Sequence, residues 1–131
     1  MSRPTKPPRI PRARELIWQS LRIMRKATTA SLVAISERPK KSVQRELRDF
    51  VRTGYVCVDN PAAGYRERVH RMIRDTGPKP PLFLMKGKQA IGAVDRNTRE
   101  VFGVDGGEPP QLGRIANWMQ KERLAPEKAA R

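Results

Sequence analysis

The chain has 131 residues, with 28 Lys or Arg against 13 Asp or Glu and a formal net charge of +15. Its apolar fraction is 37% and its aromatic fraction 5%, which supports one core of roughly 60–80 residues and excludes a large enzyme with a deep cavity. No apolar run approaches the roughly 18 residues of a membrane span. The basic N-terminus lacks the apolar stretch of a secretory signal. The single Cys57 allows neither an intrachain disulfide nor a Cys-rich zinc site. The expectation is a soluble cytoplasmic protein.

Residues 1–11 hold Pro4, Pro7, Pro8 and Pro11 around Arg3, Lys6 and Arg9. This segment cannot be helix and has little to bury, so it reads as a flexible basic arm. From Arg12 to Lys26, Leu16, Ile17, Ser20, Leu21, Ile23 and Met24 form one stripe at helical spacing. Trp18 sits at its edge, and Arg14, Gln19, Arg22 and Arg25 lie mostly outside it. Thr28 or Thr29 can cap a short second helix that carries Leu32, Val33 and Ile35 and ends near Ser36. Pro39 is suited to the first turn of a third helix running to Thr53. Val43, Leu47, Phe50 and Val51 form its buried stripe, and Gly54 can close it.

After Gly54 the period becomes two. Tyr55 to Val58 reads as a strand, Asp59 to Gly64 as a turn, and Tyr65 to Arg74 as the returning strand. These elements define a first domain over residues 12–76. Residues 77–110 read as a Pro/Gly-rich connector. In it, Leu82 to Met85 is a short apolar run of no clear type, and Ala90–Val94 and Glu100–Val104 can form a hairpin. In residues 111–131, Leu112, Ile115, Ala116 and Met119 mark an amphipathic helix from about Gln111 to Leu124, followed by a tail.

So large a positive surplus calls for a polyanion, and nucleic acid is the leading choice. Residues 1–26 carry eight basic residues and one acidic. The order α-α-α-β-β within one small unit describes an α+β fold of the winged helix-turn-helix type, with a C-terminal extension ending in a helix. In that arrangement the outer face of the third helix enters the major groove, which is about 12 Å wide. Here that face carries Lys40, Lys41, Gln44, Arg45 and Arg48, with Ser42 near its start. Arg can fork onto guanine, Gln onto adenine, and Lys can meet phosphate or guanine. The hairpin tip, with Asn60, Tyr65, Arg66 and Arg68, and the arm, with Arg3, Lys6 and Arg9, would hold the backbone.

The run from Ile17 to Pro80 resembles the small winged-helix proteins of Mu-like transposable phages and prophages. The residues concerned are IWQSLRIMRKATTASLVAI, RDFVRTGYV and VHRMIRDTGPKPP. The resemblance implies a phage-encoded duplex-DNA binder, a regulator of transcription or an accessory to transposition, acting in a bacterial cytoplasm near the nucleoid. The turn Ser36-Glu37-Arg38-Pro39 departs from that pattern in lacking an apolar plug.

Blander readings compete. A basic helix face can be merely solvated, and a winged helix can serve as a protein-binding module for a host or phage protein. RNA binding ranks third, because paired exposed aromatics are missing. His70 reads as a packed strand residue and Cys57 as a buried, inert thiol. The scattered carboxylates Glu37, Glu46, Asp49, Asp59 and Glu67 suggest no metal centre. No catalytic residue, cofactor, metal or small-molecule substrate is expected. The C-terminal helix can pack back on the core or pair with a second copy, and analogy with two-fold helix-turn-helix proteins favours the homodimer.

Overall fold

The computed structural model describes residues 10–108. Helix α1 spans Arg12–Met24 and buries Ala13, Ile17, Trp18 and Leu21. It ends at Arg25, whose φ of 70° turns the chain into strand β1, Lys26–Thr28. Thr28 then caps α2, Thr29–Ser36, by accepting the Ser31 N–H at 3.1 Å. This satisfies one of the donors that a helix start leaves open. Glu37, in the left-handed region, closes α2 by donating its N–H to the Val33 carbonyl. Where the apolar plug is missing, Ser36 is buried; its hydroxyl donates to the Val33 carbonyl and accepts the Arg38 N–H.

Helix α3 spans Lys40–Arg52, entered through Pro39. Gly54, at φ 86°, supplies the turn out of it. Strand β2, Val56–Val58, and β3, Val69–Met72, follow. They form an antiparallel sheet in the order β1-β3-β2, with Ala27 opposite His70 and Cys57 opposite Arg71. A second antiparallel sheet holds β4, Leu82–Lys86, β5, Gln89–Val94, and β6, Val101–Gly103, in sequential order. The protein is therefore mixed α+β, with three helices and two small sheets among the described residues.

The two sheets share one core. Ile17, Trp18, Leu21, Leu32, Val43, Leu47, Phe50 and Tyr55 pack with Phe83, Ala90, Ala93 and Phe102 of the second sheet. Trp18 stacks on Phe50 at 5.7 Å, and Phe50 meets Phe83 edge-on at 5.2 Å. Aromatic pairs in these geometries add to their burial energy. Buried polar bonds complete the join. Tyr55 donates its hydroxyl to Asp95 at 2.7 Å, and Trp18 donates its indole N–H to the Gly77 carbonyl at 2.9 Å. Arg14 pairs with Glu46 at 2.7 Å, donates to the Pro81 carbonyl at 3.3 Å and lies 4.1 Å over the Phe83 ring.

Several expectations change. The first helix stops at Met24, because Lys26–Thr28 pairs with β3. Trp18 is central to the core rather than at its edge, while Ile23 is 81% exposed. The returning strand shortens to Val69–Met72, since Tyr65–Glu67 forms a 3₁₀ turn. Leu82–Lys86 is a strand. The stretch 77–110, expected as a connector with a hairpin, does form that hairpin as β5 and β6, and with β4 it supplies a second sheet whose residues join the core of 12–76. Cys57 is half-buried, 3.7 Å from an Asp59 carboxylate oxygen. The C-terminal helix expected from Gln111 lies outside the described residues.

Candidate nucleic-acid interface

Helix α3 divides its residues sharply. Val43, Glu46, Leu47, Asp49 and Phe50 are buried, while Lys40, Lys41, Gln44, Arg45 and Arg48 are exposed. Ser42 is half-buried. The inward set follows the helical period, so the polar residues emerge on one outer edge. Among the described residues, Lys40, Lys41 and Arg45 pair with no carboxylate. Lys40 lies 4.0 Å above the Tyr65 ring, a cation–π contact between the helix start and the β2–β3 loop.

The C-terminal half of α3 is more committed. Arg48 lies 3.5 Å from the Asp49 carboxylate and donates to the Lys88 carbonyl, yet keeps 45% of its side chain exposed. Arg52 donates to the Ala90 carbonyl at 2.9 Å. The second sheet thus touches this end of the helix and leaves the edge from Lys40 to Arg45 open.

The β2–β3 loop is closed by its own polar bonds. Asn60 donates to the Glu67 carbonyl at 2.9 Å and accepts the Val69 N–H at 2.7 Å. Its amide therefore shapes the loop instead of reaching outward. Arg68 is half-buried and donates to the Ala63 carbonyl at 3.0 Å, while its Nε is buried without a partner. Arg66 is exposed. Between this loop and α3 lies a cleft of about 260 Å³, with Gln44, Arg48, Arg52 and Arg68 around a floor that includes Leu47 and Val51.

His70 backs the cleft. Burial first, and the Arg68 charge second, lower its pKa to about 4, so the ring is neutral at pH 7 and adds no charge there. Its Nδ1 lies 3.4 Å from the Thr29 hydroxyl.

Arg3, Lys6 and Arg9 lie outside the described residues. Sequence reasoning passed over Lys86 and Lys88, which stand on the β4–β5 turn beside Arg48. Their signal was two lysines around Gly87 in a stretch without acids. Among the described residues no group of three or more His, Cys, Asp or Glu side chains could hold a metal, and no helix is long and apolar enough to cross a membrane. Comparison of the chain with protein-family models, with curated proteins and with solved structures returns no match.

Proposed function

We propose that the chain is a winged helix-turn-helix protein that binds duplex DNA with sequence preference. The β2–β3 hairpin is the wing, and α3 is the reading helix. The observation that carries this reading is the open edge of α3. Lys40, Lys41 and Arg45 stand exposed without carboxylate partners among the described residues, and Gln44 stands with them. Reading helices use their N-terminal residues on base edges, and this is the end of α3 that the second sheet leaves uncovered. Gln44 and Arg45 supply the amide and guanidinium that fork onto adenine and guanine. Lys40, Lys41 and Arg66 supply sequence-independent phosphate contacts. The resemblance to winged-helix proteins of Mu-like phages makes a phage regulator of transcription, or an accessory to transposition, the biological setting we propose.

Binding to duplex DNA across a range of salt concentrations tests the class. Neutralised phosphates release counterions, so affinity falls steeply as salt rises. Affinity independent of salt refutes the proposal.

A further inference from the structure

The β4–β5 hairpin, whose tip is Lys86-Gly87-Lys88-Gln89, is held against α3 by three bonds. Arg48 donates to the Lys88 carbonyl, Asp49 accepts the Ala90 N–H at 3.3 Å, and Arg52 donates to the Ala90 carbonyl at 2.9 Å. All three end on backbone atoms of the hairpin. The ammonium groups of Lys86 and Lys88 take no part in them.

Both lysines are exposed, and neither pairs with a carboxylate among the described residues. No acidic residue occurs from Thr76 to Val94. Gly87, at φ 65°, lets the chain reverse within two residues, with Lys86 at the end of β4 and Lys88 in the turn itself. The anchor is firm on its helix side, because Asp49 is 1% exposed. The backbone that carries two uncompensated cations is thereby fixed beside Arg48, at the C-terminal end of the exposed face of α3. The β2–β3 loop meets the start of that helix through Tyr65 under Lys40, and faces it across the cleft beside Gln44, whose lining shares Arg48 and Arg52 with the hairpin anchor.

We propose that the β4–β5 hairpin is a second wing, whose Lys86 and Lys88 meet backbone phosphates of the same duplex that α3 reads. This inference rests on the DNA-binding reading above. An ammonium group on a flexible stem is a point charge suited to phosphate and carries no base code. The second wing therefore adds affinity without sequence preference, and it flanks α3 with a phosphate grip separate from the β2–β3 loop.

The test compares the full-length protein with the Lys86→Ala/Lys88→Ala double variant, titrated in salt with both a selected duplex and a random one. A Lys79→Ala/Arg96→Ala control removes the same net charge at the opposite end of the second sheet. The expected result is a slope of log affinity against log salt shallower by about 1.8 for the double variant, from about 0.9 per lost phosphate contact. Affinity for the two duplexes should fall in the same proportion, while the control keeps the wild-type slope. A double variant with the wild-type slope overturns the second wing and leaves the DNA-binding reading standing. So does a control that changes as much as the double variant. A wild-type protein that does not bind duplex overturns both.

Discussion

The cations of α1 and those of the first half of α3 do opposite things. On α1, Arg14 is buried against Glu46, and Arg22 reaches Asp75 at 2.9 Å, joined there by Arg25 just beyond the helix. On the first half of α3, Lys40, Lys41 and Arg45 meet no carboxylate among the described residues. Both helices are basic in sequence, yet one set of charges holds the fold and the other is left open. Net charge alone therefore locates nothing; the distribution of carboxylate partners does.

The sharpest way to break this comparison is to remove one cation from each side. Arg14→Ala strands Glu46 as a buried, unpaired carboxylate and removes the guanidinium from Phe83. Breaking a buried pair in this way costs about 3–5 kcal/mol, measurable by denaturant unfolding. Lys41→Ala should change stability by less than about 0.5 kcal/mol. Equal losses from the two variants would erase the distinction.

Tyr55→Phe addresses the polar join between the two sheets. Burial raises the Tyr55 pKa most, with the Asp95 hydrogen bond next, so the phenol remains a donor. Burial pushes the Asp95 carboxyl up, but hydrogen bonds from Thr76, Tyr55 and the Thr98 and Asn97 N–H groups outweigh it and hold its pKa below the usual range. Loss of this charge-assisted bond should cost about 2 kcal/mol. A loss near zero would mean that the Tyr55–Asp95 bond adds nothing to the join.

A pH series sharpens the account of the cleft. The pKa of His70 falls from 6.5 in the unfolded chain to about 4 in the fold. Between those values the unfolded chain binds more protons, so stability rises with pH across that window. Its contribution is complete above about pH 6.5 and is lost as the pH falls towards 4. The expected loss is on the order of 2 kcal/mol, and His70→Gln should flatten that part of the profile. A wild-type profile that is already flat there would place a solvated histidine at this position.

Much of this is legible in the sequence alone. The Thr28 cap, the break at Pro39 and the stripe Val43-Leu47-Phe50 follow local rules that sequence carries directly. Strand β1 was not legible, because its three residues gain their identity only from pairing with β3, some forty positions away. The partners of Arg14 were hidden for the same reason. A lone Glu46 on the next basic helix looks solvated until Phe83 and Pro81 close over the pair. Of the site, the polar edge of α3 was readable from helical spacing. The structural use of Asn60 and the closeness of Lys86 and Lys88 to α3 depend on tertiary contacts and were not.

The smallest structural change carries the largest functional stake. Gln44→Ala/Arg45→Ala removes two exposed side chains and should barely alter the thermal midpoint. Selecting bound duplexes from a random pool, with the wild type and with this double variant, tests the open edge of α3 most directly. The account predicts an enriched motif for the wild type and a degraded one for the variant at equal stability. The same motif from both proteins, or none from the wild type, would contradict it.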